Sequence, residues 1–244
     1  MRGFIYDKAL LPLTAGWYAE VLRHLEPGSR LLDVGIGTGG ALARNAELVL
    51  QRDLHVVGVD IDADYVERSS RILQDAGLGD RVEVRLQSVY DHGDRPYDAV
   101  YFSASFMLMP DPPAALRHVA GLLAEGGRIF FTQTFQDRPS PWMERAKPLL
   151  RKLTTIDFGT VTYEADFRGA LEAGGIELVE LTTLGASGSR SYRLAVGLPE
   201  RQPPADELSP ADEPPPADEP PPADEPSPAD EPPPADEPPP ADAG

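Results

Sequence analysis

Asp33, Gly35, Gly37 and Gly39 stand two apart, and that spacing carries more chemistry than any other stretch of the chain. The run is Leu31-Leu32-Asp33-Val34-Gly35-Ile36-Gly37-Thr38-Gly39-Gly40, an apolar segment ending at an acid, then glycines at alternate positions. A helical pattern follows at once. Glycine suits a sharp turn that a ligand must approach, because no Cβ stands in the way. The first amides of the following helix have no intrahelical partner and carry partial positive charge, so they can donate to a ligand. Asp33 adds a negative charge at the same place. A carboxylate there opposes a phosphate and suits a ligand bearing an ammonium or a sulfonium.

Two cofactor chemistries use such a turn. Gly35, Gly37 and Gly40 satisfy G-x-G-x-x-G, with Asp60 about 20 residues on, which is the dinucleotide fingerprint. An NAD(P)-dependent oxidoreductase is therefore one reading. Asp33 argues against it, since its charge would sit near the pyrophosphate. The pattern Asp-x-Gly-x-Gly-x-Gly resembles motif I of the class I S-adenosylmethionine (SAM) methyltransferases. Tyr97-Asp98 resembles the aromatic-Asp pair that opens the family's fourth strand. Leu122 to Thr132 resembles its Leu-x-Pro-Gly-Gly-Arg-strand segment, with Glu125 in place of the proline.

The resemblance covers roughly residues 29–198 and implies SAM as cofactor. It assigns the methionine moiety to Asp33, Gly35, Gly37 and Gly39. Asp60, after the second strand, would take the ribose, two acceptor oxygens matching two vicinal hydroxyls. Ile61, Ser88 and Val89 would hold the adenine, and Ser103 would lie near the methionine end or the methyl group. One departure stands out: Ser88-Val89 replaces the Gly-Asp-Ala-type segment of the family, so the side-chain acid is missing there.

The elements that must position these residues alternate strand and helix. Leu13 to Glu26 reads as a helix with Trp17, Val21, Leu22 and Leu25 on one apolar face. Trp17 and Tyr18 read as core packing. Tyr6-Asp7 and Pro12-Leu13-Thr14 read as a cap over the domain. Strands are expected at Arg30–Asp33, His55–Val59, Val82–Leu86, Tyr97–Phe102 and Ile129–Thr132. Helices are expected over Ala41–Leu50, Ala63–Ala76, a stretch reaching Ala124, and Tyr163–Gly174. Asp62 and Asp111 read as helix N-caps, the latter followed by proline at N1. That explains Asp111-Pro112-Pro113 without the Asp-Pro-Pro-aromatic motif of nucleic-acid amino-methyltransferases. Ile176–Thr183 and Ser191–Gly197 form a closing hairpin, which separates the methyltransferase sheet from the dinucleotide fold. The expected architecture is a Rossmann-like three-layer α/β sandwich with a seven-stranded, mostly parallel sheet and an antiparallel C-terminal hairpin strand. Residues 1–28 form its cap, and 29–198 its SAM-binding domain.

Residues 199–244 are different material. From Pro203 the chain is seven six-residue units of the PPADEP type, holding 13 acids and no base. The formal charge of −18 thus belongs mostly to this tail; the body has 27 acids against 22 Lys and Arg, or −5. Such a segment cannot bury enough apolar surface to offset the entropy of folding, so disorder is expected. Its charge disfavours nucleic acid and anionic membranes as partners.

The absence of cysteine excludes disulfides, thiolate catalysis and Cys-ligated zinc, and four scattered histidines make no metal site. No run is long and apolar enough to span a bilayer. A cytoplasmic protein with a small-molecule substrate is expected, with peripheral membrane contact and oligomeric state left open. Phe106, Met107, Leu108, Met109 and Trp142 suggest an apolar substrate pocket, and residues 136–159 suggest a lid. His92, Asp91 and Tyr101 are possible general bases, but their spacing singles none out, and His92 reads as a solvated loop residue. The acceptor would be a quinone, a lipid headgroup, a thiol or a similar small molecule. A non-catalytic interaction protein on the same fold is the third reading, opposed by the ligand-ready turn.

Overall fold

The computed structural model describes residues 2–137 and 162–200, with side chains from Leu11 onward. The candidate lid, with Trp142, and the repeat tail lie outside these residues. The elements in order are α1 (Arg2–His24), β1 (Arg30–Val34), α2 (Gly40–Ala43), α3 (Ala46–Gln51), β2 (His55–Asp60), α4 (Ala63–Asp75) and β3 (Val82–Leu86). Then come β4 (Tyr97–Ser103), α5 (Pro112–Ala120), β5 (Leu123–Gln136), α6 (Glu164–Ala173), β6 (Ile176–Ser187) and β7 (Arg190–Pro199).

One seven-stranded sheet has the order β3-β2-β1-β4-β5-β7-β6. β1 to β5 pair in parallel, and β7 runs antiparallel between β5 and β6. The hairpin turns at Gly188-Ser189, with Gly188 at φ +62°. This is the expected three-layer α/β architecture. The order reverses between β1 and β4, and open sheets bind ligands at the carboxyl ends of strands at such a point.

Side chains alternate across the sheet. Leu31, Val56, Tyr101 and Phe130 face one core with Val21 and Leu22 of α1, Leu42, Val49 and Leu73. Leu32, Val57, Val100, Phe102 and Phe131 face the other, with Leu116 and Val119 of α5 and Phe167 and Leu171 of α6. In the second core Phe106, Phe131, Phe135 and Phe167 meet edge to face at 5.0–5.8 Å. Burying each ring stabilises by roughly 2–3 kcal/mol. No helix among the described residues is long and apolar enough to cross a membrane.

Three elements differ from expectation. The helix expected over 41–50 is broken into α2 and α3. Between them the Asn45 amide donates to the carbonyls of Ala41 (2.8 Å) and Ala15 (2.9 Å). A side chain bonded to nearby carbonyls competes with the helix ladder, and here it also ties α1 to the helix after the glycine turn. The N-terminal cap and helix are a single element, α1, with Pro12 inside it. The helix expected to reach Ala124 stops at Ala120, and the Gly126-Gly127 turn is a bulge within β5, Tyr97 pairing with Leu123 and Ala99 with Arg128.

Candidate functional site

The site is assembled where β3, β2, β1 and β4 end side by side. Leaving β1, the chain enters a turn with Gly35, Gly37 and Gly39 at φ +78°, +58° and +69°. The turn is tied to β2, for the Gly35 amide donates to the Val59 carbonyl at 2.8 Å. It is also pressed against the segment after β4. A Cβ on Gly35 would come within 2.8 Å of the Ser105 Cβ, and the Ser105 hydroxyl donates to the Val34 carbonyl. Gly35 is thus required both by its left-handed conformation and by this close approach.

Asp33 is fully buried. Its Oδ2 accepts a 2.8 Å hydrogen bond from the Tyr18 hydroxyl of α1, while its Oδ1 has no partner among the described residues. Burial pushes the Asp33 carboxyl up to about 7; the Tyr18 hydrogen bond opposes this and the Asp60 charge adds to it. The Tyr18 phenol is itself raised well above its ordinary range, by burial first and then by the Asp33 charge, so it serves as a donor. Tyr101 lies edge-on to Tyr18 at 4.9 Å and shares a 2.8 Å hydrogen bond with Thr132. A buried carboxylate oxygen without a donor is costly. A ligand carrying N–H donors and a positive charge would remove that cost. The Asp33 environment therefore fits the α-ammonium end of SAM and is ill suited to a pyrophosphate.

Asp60 ends β2, half-buried. Its two oxygens accept from the amides of Gly37 (2.9 Å) and Asp62 (3.0 Å). A carboxylate has about four acceptor sites, so two are left for a pair of vicinal hydroxyls. Ile61 follows, with 79% of its surface exposed, an apolar face open beside the acid. Asp62 caps α4 by accepting from the amides of Asp64 and Tyr65, and Asp111 caps α5 through the Ala114 amide.

After β3, the Ser88 hydroxyl accepts from the Tyr90 amide at 3.3 Å, starting a single turn over Val89–Asp91. The Val89 side chain is buried in the second core, which leaves only its backbone for a ligand. Ser103 ends β4 beside the Tyr18 and Tyr101 hydroxyls. The structure thus brings Asp33, the three glycines, Asp60, Ile61 and Ser103 to neighbouring strand ends, with Ser88 and Val89 on the β3 side.

His92 is not a solvated loop residue. It is buried, with Nδ1 at 2.9 Å from Gln87 Oε1 and Nε2 at 2.8 Å from the Tyr97 hydroxyl. Its carbonyl also accepts from His118. Burial lowers its pKa, so it is a neutral packing residue. Phe106 likewise belongs to the core, whereas Leu108 is 45% exposed. Two residues were missed in the sequence. Tyr18 and Ser105 each clamp the glycine turn or its acid, yet neither sits in a recognisable motif. Tyr18 looks like any aromatic on an apolar helix face; only the tertiary packing of α1 on β1 puts its hydroxyl on Asp33.

Recesses of about 260 and 350 Å³ lie elsewhere. The first is lined by Leu73, Gln74 and Val84. The second lies by Arg30, His55 and Arg81 at the amino ends of the strands. Neither contains a residue of the glycine turn, and parallel sheets bind ligands at the opposite end.

A family model described as a methyltransferase domain matches residues 7–181. An O-methyltransferase from Penicillium expansum is 27% identical over 169 residues, covering 68% of this chain and 59% of the relative. A ubiquinone biosynthesis O-methyltransferase from Bordetella avium is 32% identical over 161 residues, covering 64% and 63%. The chain thus spans about six-tenths of the length of each. The structure of a geranyl diphosphate C-methyltransferase from Streptomyces coelicolor, bound to Mg2+, geranyl diphosphate and S-adenosyl-L-homocysteine, superposes with a TM-score of 0.60 at 16% identity. It covers 79% of this chain and 80% of that one.

Proposed function

This chain belongs to the class I SAM-dependent methyltransferases, and from that premise we propose that it binds SAM and transfers its methyl group to a small molecule. The observation that carries the reading is the buried Asp33 carboxylate, one oxygen held by Tyr18 and the other unpartnered among the described residues, just before a glycine turn. Asp33 and the turn over Gly35, Gly37 and Gly39 would hold the methionine moiety. Asp60 would hold the ribose, and Ile61 with Ser88 and the Val89 backbone the adenine. Ser103 ends β4, which pairs with β1 beside Asp33, and would border the methyl group.

Bound there, SAM supplies a methyl group already activated on a sulfonium, so no metal is needed for the transfer. What the protein must do is orient. An in-line displacement needs the acceptor's nucleophile along the S–C axis, and holding two reactants in that geometry removes most of the entropic barrier. The two relatives are both named as O-methyltransferases, which makes a phenol or a hydroxylated quinone precursor the first acceptor class to screen, with lipid headgroups and thiols next. An oxygen nucleophile must lose a proton. His92 and Tyr101 are both buried and already hydrogen-bonded, so neither is assigned that task.

The test is calorimetric titration of the full chain with SAM, its demethylated product and NAD(H), on wild type and Asp60→Ala. The expected result is binding of SAM and product, weakened in the variant by ten- to a hundredfold, the order expected for hydrogen bonds to a charged acceptor. Binding of NAD(H) alone would move the protein to the oxidoreductases. Binding of none of them would leave the interaction-protein reading standing.

A further inference from the structure

We propose that Tyr18, in the N-terminal helix, is a positioning residue of the cofactor site: its hydroxyl holds the Asp33 carboxylate so that the second oxygen is presented to the cofactor's α-ammonium group. The proposal rests on the SAM reading above and adds to it a residue that lies outside every motif.

The geometry is specific. Tyr18 supplies the one hydrogen bond the Asp33 carboxylate receives among the described residues, 2.8 Å to Oδ2, and Oδ1 is buried without a partner among them. Both groups are buried, so water cannot substitute for the phenol. Tyr18 itself is fixed, edge-on against Tyr101 at 4.9 Å, and α1 is fixed to the next helix through Asn45 and Ala15. The carboxylate therefore cannot turn away without giving up this hydrogen bond in a buried site.

Among the described residues, the titratable groups facing Asp33 are the Tyr18 hydroxyl from α1, the Tyr101 hydroxyl from β4 and the Asp60 carboxylate from β2. None is a cation. Asp33 is thus held in a setting that favours its protonated form, and Tyr18 is the group that works against this. A ligand ammonium binds the ionised form, so it must displace a proton from whatever fraction of Asp33 carries one. Ligand binding and proton release are then linked. Removing the Tyr18 hydroxyl should push Asp33 further toward protonation and shift that linkage to higher pH.

The experiment is titration of the full chain with S-adenosylhomocysteine, a stable probe carrying the same α-ammonium. It is done on wild type and Tyr18→Phe from pH 5.5 to 7.5, and in two buffers of different ionisation enthalpy at pH 6.5. At that pH the ligand's amine is essentially all protonated. Wild type is expected to release about half a proton or more per ligand bound. Tyr18→Phe is expected to bind roughly tenfold more weakly at pH 6.5, with the deficit shrinking as pH rises. The proton measurement uses the wild type alone, so it stands even if the variant folds poorly. Binding by wild type without proton release, or a Tyr18→Phe deficit of the same factor at every pH, would overturn the proposal and mark Tyr18 as packing only. Failure of the wild type to bind either SAM or its product would instead remove the SAM reading on which the proposal rests.

Discussion

The two ends of the parallel sheet treat charge in opposite ways. At the amino end the charges around β1 to β3 are paired: Arg30, Arg81 and Arg85 each meet an acid. The Arg30 amide meets Asp98 at 2.7 Å, its guanidinium meets the Pro96 carbonyl at 3.2 Å and lies 4.3 Å over the Tyr97 ring. Arg81 pairs with Asp53 at 2.5 Å and touches His55 at 3.0 Å. These groups are partly exposed, where water would satisfy them anyway. At the carboxyl end the position is reversed. Asp33 is fully buried yet has one oxygen unanswered, Ile61 lies open to solvent, and a glycine turn is pinned in left-handed conformation. One end pairs its charges at a partly exposed surface, and the other keeps a buried acid with one oxygen unpartnered among the described residues.

The largest effect on this contrast between the two ends is expected from Asp33→Asn. The amide keeps the shape and still accepts from Tyr18, but it removes the buried charge. With its folded pKa raised to about 7 from an ordinary 3.8, Asp33 binds more protons in the native than in the unfolded state between those values. It therefore lowers stability progressively as pH rises through that window, and the penalty is complete above pH 7. The variant is expected to be more stable than wild type at pH 8, by about 2 kcal/mol or more, and no different from it near pH 3.5. It is also expected to lose SAM binding by a hundredfold or more. Thermal melts at both pH values with and without SAM decide this. A variant that binds SAM normally would mean that Asp33 is an ordinary core acid.

Glycines in the same conformation at the two ends give the next largest contrast. Gly35 has φ +78° and a Cβ there would collide with Ser105. Gly126, at the amino end of β5, has φ +76° and nothing within 4 Å of an added Cβ. Alanine at 126 should cost about 1 kcal/mol for the left-handed conformation alone. Alanine at 35 adds overpacking of roughly 1–3 kcal/mol and should displace the turn, so SAM affinity falls as well. Equal losses in denaturant unfolding would remove the claim that the turn is held by close approach.

Much of this was legible in the residues because the signals are local. Asp33 and the alternate glycines lie within seven positions, Asp60 follows an uninterrupted apolar strand, and the Asp62 and Asp111 caps are set by one side chain and the amides just after it. The sheet followed from strands and helices alternating and from the final hairpin. What escaped reading depends on contacts distant in sequence. Tyr18 and Asp33 are 15 residues apart on different elements, Ser105 reaches Val34 across 71, and His92 is buried by partners that include His118. Asn45 broke an expected helix by bonding Ala15, 30 residues away. None of these has a periodicity or motif that a single sequence displays.

A smaller effect is expected at Ile61. Its side chain is 79% exposed, so Ile61→Ala creates no cavity and should leave stability within about 0.5 kcal/mol. If it is the apolar face for adenine, the alanine variant loses part of a buried contact on binding. SAM affinity should then fall roughly three- to tenfold at unchanged thermal stability. An unchanged affinity would place the adenine elsewhere and detach Ile61 from the site.

The smallest expected effect is at the amino end, and it is the control on which the comparison stands. Arg81 is about one-third exposed and its partner Asp53 is 60% exposed. An ion pair in such a setting gains little over hydration and must order two long side chains. Arg81→Gln should therefore cost under about 1 kcal/mol, and less still in high salt, where exposed charges are screened. It should leave SAM affinity untouched, because the residue lies before β3, at the end of the sheet opposite the glycine turn. Denaturant unfolding at low and high salt, beside a SAM titration, gives both numbers. A loss of SAM affinity in this variant would mean that the two ends are energetically coupled through the strands, and that the amino end is not the finished surface its paired charges describe.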